Sequence, residues 1–181
     1  MKKLGLGLVV IAAAALMLGS HSAWALGISL DIPIAYNFDE GGSADTVSGF
    51  KAGIALPVFP VVGIGLGYEN YQVKDKDQGV ESEVAFEIFD LFAEIPFPFV
   101  NLTVGLGAGS HEVTVDALNI KEDGGVTQWF VSIGYPILPL IDIHVGYHDV
   151  SAEELDVTVL GIPAKIDASG EMWSLGVRVG F

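Results

Sequence analysis

The stretch Glu171-Met-Trp-Ser-Leu-Gly-Val-Arg-Val-Gly-Phe181 carries an apolar residue at every second position: Trp173, Leu175, Val177, Val179 and Phe181. Between them stand Ser174, Gly176, Arg178 and Gly180, which are small or polar. Period two is the mark of a β-strand with one apolar and one polar face. The alternation predicts a strand over 171–181 that finishes on an aromatic residue.

The same period recurs along the chain. Residues 26–38 set Leu26, Ile28, Leu30, Ile32, Ile34 and Tyr36 against Gly27, Ser29, Asp31, Pro33, Ala35 and Asn37. Further strands are expected over 49–56, 62–69, 84–95, 100–109, 128–135 and 141–148, which with 26–38 and 171–181 makes eight. Two strands read less simply. In 84–95, Glu87 falls out of step, which suggests a bulge near Ile88. The strand from 100 could continue through His111 to Ile120. Residues 39–46, 74–83 and 121–125 read as polar loops or turns, and Pro57–Pro60, Pro96–Phe99 and Pro136–Pro139 as short turns.

Composition points to a membrane. The chain is 51% hydrophobic yet has a net charge of −15. These facts agree if charge is confined to loops and an interior while the apolar face meets lipid. No outward position in the strand assignment is charged, the reverse of a water-soluble barrel. Met1-Lys2-Lys3, an apolar core and Ala23-Trp24-Ala25 read as a secretory signal peptide over 1–25; a membrane anchor is the rival reading. The mature domain is then 26–181. Beyond the signal, no apolar run reaches the ~20 residues of a membrane helix. There is no cysteine, so disulfides and thiolate chemistry are excluded. The acidity argues against nucleic acid as a partner.

Two regularities complete the pattern. Connections alternate short and long, as they do between the two rims of a transmembrane barrel. Tyr68, Trp129, Tyr147 and Trp173 fall at similar heights on the outward face, as an interfacial aromatic girdle would. Phe59, Phe97, Phe99 and Phe181 suit the opposite interface.

The terminal strand ending on Phe181, with Val179 and Trp173 on its outward face, resembles the C-terminal strand of bacterial outer-membrane β-barrels. Over 26–181 the pattern is similar to the small eight-stranded proteins of the OmpA, OmpX and OmpW type. The resemblance implies an all-β, antiparallel, up-and-down transmembrane barrel in the Gram-negative outer membrane. It also implies that the last strand serves as a signal to the barrel-assembly machinery, and that outer-membrane lipids and lipopolysaccharide are neighbours. A ten-stranded barrel is the alternative. Residues 149–170 look like strands seven and eight running beyond the membrane as a protruding hairpin, or like the extra strand pair.

The inward face holds Asp31, Lys51, Glu69, Asp90, Glu94, Asp142, His144, His148 and Arg178, the chain's only arginine. Asp31, Lys51 and Arg178 fall on adjacent strands and are expected to form an ion network with Asp142 and Glu94 nearby. Many inward residues are glycine, which either permits tight coiling around large neighbours or leaves a cavity. His144 and His148 lie ~13 Å apart along one strand, too far to share a metal ion. No metal or cofactor site is expected, although acidic loops such as 75–83 could hold divalent cations jointly with lipid phosphates.

Three functions compete. The first is a non-enzymatic barrel with a structural, envelope-stabilising or surface-interaction role. The second is a narrow pore for small or hydrophobic solutes. The third is a lipid A-modifying acyl hydrolase or transferase, with His148, Ser151 and Glu153 or Glu154 as base, nucleophile and orienting acid. The spacing of three between His148 and Ser151 weighs against the third, because it points them to opposite faces of a continuing strand.

Overall fold

The computed structural model describes residues 26–59, 62–77, 80–118, 120–138, 140–159 and 162–181. The signal peptide assigned to 1–25 and the turn residues Pro60 and Pro139 lie outside these. The described strands are β1 (Gly27–Phe38), β2 (Thr46–Phe59), β3 (Val62–Asp77), β4 (Val80–Pro96), β5 (Asn101–Val115), β6 (Ile120–Leu138), β7 (Ile141–Ala152), β8 (Leu155–Val159), β9 (Ile162–Ile166) and β10 (Gly170–Gly180), with one 3-10 turn at Asp116–Leu118.

Eight of these close into an antiparallel barrel in the order β1-β10-β7-β6-β5-β4-β3-β2. β8 and β9 pair only with each other. The barrel is therefore eight-stranded, and the ten-stranded alternative does not form. Nor do the flanking strands simply run on as a hairpin. The chain leaves the wall after Ala152 and builds a separate two-stranded sheet.

The final strand closes the barrel as the alternation predicts. β10 pairs with β1 from Gly27↔Gly180 to Phe38↔Gly170. Phe181 N–H donates to Leu26 O at 2.8 Å, and Leu26 N–H to Phe181 O at 3.4 Å. Closure leaves the barrel without the long free edge that an open sheet would expose.

β1 carries a mid-strand phase shift that alternation alone does not reveal. The β1–β10 register shifts between Pro33 and Ala35. Proline cannot donate to a ladder, and the shift reverses the parity beyond it. Tyr36, expected outward, is instead 1% exposed and points inward, where its hydroxyl donates to Ala168 O at 2.6 Å. The ladder between β1 and β2 stops at Asp31↔Lys51. Above it the following loop folds back, with Ala44 N–H donating to Tyr36 O.

Further shifts, between Pro57 and Phe59 and between Pro136 and Leu138, fall at the lower strand ends. Between them the parity of β3 and β4 holds, but its polarity inverts partway up the barrel. On β3, Ile64, Leu66 and Tyr68 face out while Gly65, Gly67 and Glu69 face in; higher up, Asn70 and Gln72 face out while Tyr71 and Val73 are buried inside. The backbone does not change phase, because a ladder cannot without a bulge. The medium changes. Below the switch the apolar face meets lipid. Above it the outer face meets water, and the apolar set packs inside.

This inversion accounts for the sequence readings that fail. Glu87 does not mark a bulge near Ile88, since the registers of β4 with β3 and β5 run unbroken past it. It is the first polar outward residue above the switch, and accepts a hydrogen bond from the Tyr68 hydroxyl at 3.0 Å. The charged segments 74–83 and 121–125 are mostly strand, not loop. Lys74 pairs with Glu83 in register and bridges to it at 2.7 Å. Val73, Val84, Val113, Val115, Ile120 and Val126 hold these upper hairpins together from within.

The small β8–β9 sheet joins that inner core. Leu155 and Val157 are buried in it with Tyr36, Tyr71, Phe86 and Met172, so the sheet caps one mouth of the barrel. On its exposed side Lys165 bridges Glu154, whose carboxylate raises the pKa of the ammonium.

Candidate functional site: a filled lumen and its aromatic rim

The inward face of β4 samples the whole interior. Going up it carries Glu94, Phe92, Asp90, Ile88, Phe86 and Val84. The lumen is layered in the same order.

The lowest layer is polar. Arg178 Nη2 lies 2.6 Å from Glu94 Oε2, and His144 Nε2 lies 2.6 Å from Asp31 Oδ1. Asn101 Nδ2 donates to Asp142 Oδ2 at 2.5 Å. A cavity of about 30 Å³, room for about one water, is lined by these groups and, above them, by Phe92, Phe130, Lys51 and His148.

The second layer is aromatic. Phe92 and Phe130 meet edge to face with ring centroids 6.4 Å apart. Their rings lie over Gly65 and Gly105, where even a methyl group would collide with them. The inward glycines therefore make room for large neighbours rather than for an empty channel.

The third layer is a buried charge cluster. Lys51 Nζ sits 3.3 Å above the centroid of the Phe130 ring and bridges Glu69 Oε1 at 2.6 Å and Asp90 Oδ2 at 3.0 Å. Gln128 Nε2 donates to Glu69 Oε1 at 2.9 Å and to Asp90 Oδ1 at 2.8 Å. His148 packs on Phe130 and reaches Ser174 Oγ at 3.2 Å. The apolar core under β8–β9 forms the fourth layer.

The expected ion network thus exists but is wired differently. Asp31 and Lys51 are register neighbours, and Arg178 lies on the adjoining strand. Lys51 instead pairs with Glu69, its register neighbour on β3, and reaches on to Asp90 of β4, while Arg178 pairs with Glu94 and Asp31 with His144. Adjacent strands fix Cα neighbours, but long side chains in a narrow barrel also reach partners beyond the adjacent strand, as Arg178 does with Glu94. The role of Gln128 escaped the sequence reading. Its position on the inward face of β6, level with acids on other strands, was the available signal.

The trio weighed for lipid A chemistry is not assembled. His148 is buried in the lumen and Ser151 is exposed on the other face of β7. Glu153 Oε2 instead accepts the Gly125 N–H at 3.1 Å. The parity of β7 through Ala152 separates base from nucleophile.

The girdle residues do come together on the outer face. Trp129 and Tyr147 lie 5.6 Å apart by ring centroids, and Tyr147 and Trp173 5.3 Å. Across the barrel Tyr68 contacts Phe50 at 6.1 Å and Phe89 at 5.1 Å. Phe89 is a further member, directly opposite Tyr68 in register. Below this rim the outer surface is a continuous apolar belt that includes Leu66, Leu91, Leu106, Ile133 and Leu175, all exposed. Such a belt is tolerated where lipid, not water, is the solvent.

A closed eight-stranded barrel with an apolar belt, an aromatic rim and a packed polar lumen defines the class of small outer-membrane β-barrels. Solved structures share this fold. No protein-family model matches the chain, and no curated protein does. Solved structures match over most of both chains. The outer membrane protein OprG from Pseudomonas aeruginosa superposes with a TM-score of 0.60 at 10% identity, covering 90% of this chain and 98% of that one. Neisserial surface protein A (NspA) gives 0.57 at 15% identity, covering 87% and 97%. Ail, the attachment invasion locus protein of Yersinia pestis, gives 0.52 at 12% identity, covering 86% and 96%. At these identities the likeness is one of fold.

Proposed function

We propose that the chain is a non-enzymatic outer-membrane barrel with a structural and surface-interaction role. It would anchor in the lipid through its belt and hold a compact β-cap above the outer leaflet. The observation that carries this reading is the filled lumen. A polar layer, a Phe92–Phe130 layer, the Lys51–Glu69–Asp90 cluster and an apolar core stand in series. A solute would have to displace each in turn. In planar bilayers the folded protein should give a closed trace at all voltages. Stepwise single-channel openings would replace this reading with that of a narrow pore. Lipid A from cells with and without the protein should have the same acylation by mass spectrometry, since His148 and Ser151 lie on opposite faces of β7 and the one hydroxyl His148 reaches, Ser174, is sealed in the lumen with it.

The neighbours proposed for the belt are outer-membrane lipids and lipopolysaccharide, with divalent cations between lipid phosphates and the acidic outer surface. The last strand is proposed as the signal to the barrel-assembly machinery. Deleting Phe181 removes its exposed ring and its two backbone bonds to Leu26. We expect membrane-inserted, heat-modifiable protein to fall several-fold in cells while the denatured chain still refolds in detergent. Undiminished assembly in cells would reject the signal role.

A further inference from the structure

One titratable ring is sealed inside the upper hairpins. The described residues include three histidines, of which His144 and His148 belong to the lower lumen layers. The third, His111, follows the rim-level pair Ala108↔Phe89 by three residues on β5, so it stands above the lipid. It is 1% exposed, stacks on Phe86 with ring centroids 6.0 Å apart, and faces Gly124 of β6 in register. Neither ring nitrogen is in hydrogen-bond geometry with a partner among the described residues. A neutral imidazole is tolerated in such a site. An imidazolium is not, because an unpaired buried charge costs far more than a buried polar group.

The surroundings do not reverse that balance. Burial lowers the His111 pKa, and the backbone of Gly125 and Gly124 and the carboxylates of Glu153 and Asp167, which favour the charged ring, do not make up the loss. From the other strands come the phenols of Tyr36 and Tyr71, packed on the same Phe86 ring, and apolar side chains. Glu122 and Asp123 of β6 are exposed to water, Lys121 is held by Glu112, and Lys165 by Glu154. His111 also lies where the β8–β9 sheet is fastened. A methyl group on Gly124 would meet His111 Cε1 and Leu155 Cδ2, each at 2.9 Å, and Glu153 Cβ at 3.4 Å, so ring, sheet and connection converge on one spot. Beside it Glu153 N–H donates to Gly125 O at 2.8 Å, and Glu153 Oε2 accepts the Gly125 N–H at 3.1 Å. β8 and β9 pair only with each other, so the sheet can lift without breaking a ladder of the barrel wall.

We propose that His111 makes the docking of the β8–β9 sheet acid-sensitive: protonation of the ring releases the sheet from the barrel mouth and uncovers Leu155, Val157 and the aromatic core beneath. The direction follows from the burial. The docked state holds the proton less tightly than the open one. Docking is therefore at full strength above the open-state value of ~6.5 and weakens as pH falls below it. The inference goes beyond the closed-lumen reading, because the polar layer, the Phe92–Phe130 layer and the Lys51 cluster stay in place when the sheet lifts.

The test follows amide hydrogen exchange, corrected for the intrinsic rate, in the full chain folded in detergent at about pH 7.5 and about pH 5. Protection of β8 and β9 should fall about 5-fold or more at the lower pH, while the wall strands around Leu106↔Trp129 keep theirs. His111→Leu removes the titrating ring and should hold the sheet equally at both pH values. His111→Gln, neutral and polar, serves the same purpose if the leucine variant loses heat-modifiable mobility. In the unaltered chain the His111 ring should titrate below the ordinary histidine range by NMR. Equal protection at the two pH values would overturn the proposal, as would an ordinary or raised His111 titration. An acid response that survives in the folded variants would overturn it too, and would move the effect to Glu153 or Asp167. Bilayer traces on the same preparation keep the two readings apart. Closed traces without an acid response remove the switch alone, whereas open traces with one remove the plugged lumen and leave the switch.

Discussion

Gly109→Ala should prevent the barrel from reaching its native, heat-modifiable form, whereas Gly134→Ala should be nearly silent. Both glycines lie on strands of the wall, at Gly109↔Ile88 and Gly134↔His144. They differ in what a methyl group would meet. At Gly109 it would run into the backbone carbonyl of Glu87 on β4, with the carbonyl carbon and Ile88 Cα at 2.9 Å. Backbone in a two-sided ladder cannot swing aside. The wall must open between β4 and β5 or the strand must bulge. Overpacking typically costs about 1–3 kcal/mol and more where nothing can yield, so a loss of at least 3 kcal/mol is expected. At Gly134 the nearest atoms are His144 Cβ at 3.5 Å and Asn101 Cβ at 3.6 Å, ordinary contact distances. Urea unfolding in detergent, read by gel mobility and tryptophan fluorescence, measures both. Equal midpoints for the two variants would show that the wall relaxes more freely than its register implies.

The contrast shows which parts of the fold could be read in the chain. Strand number, pairing order and the inward set followed from period two, because in a barrel every second residue shares a face. The girdle was legible because Tyr68, Trp129, Tyr147 and Trp173 sit at matched distances from their turns. Residues 121–125 look like a turn in the sequence because Lys121, Glu122 and Asp123 are charged. Their neighbours Ile120 and Val126 already carried the inward apolar phase of a strand in water. Tyr36 was misplaced because a single register shift at Pro33 moves every later residue to the other face, and alternation cannot see a shift that both phases tolerate. The partners of Lys51 were hidden for a different reason. Glu69 lies opposite it on the neighbouring strand, but Asp90 is brought near only by the curvature and stagger of the closed sheet. Contacts across a lumen belong to the whole barrel and not to any stretch of sequence.

Lys51 is also where the largest electrostatic effect is expected. Among the described residues its ammonium is the one cation that bridges both Glu69 and Asp90, each buried, and Gln128 supplies only neutral donors. Lys51→Met keeps the length of the stem and its contact with the Phe130 ring, but leaves two carboxylates facing each other in a low-dielectric interior. Removing one partner of a buried ion cluster costs about 3–5 kcal/mol, because the stranded charge has lost its solvation and gained no substitute. The variant should unfold at correspondingly lower urea. The loss should shrink when Glu69→Gln and Asp90→Asn are added, since amides of the same shape need no counter-charge and can bond with Gln128. The triple variant therefore separates two explanations. If it recovers most of the stability, Lys51 acts by neutralising the pair. If Lys51→Met alone is harmless, the cluster is hydrated or cation-filled in solution, and the third layer is not the dry plug on which the closed lumen depends.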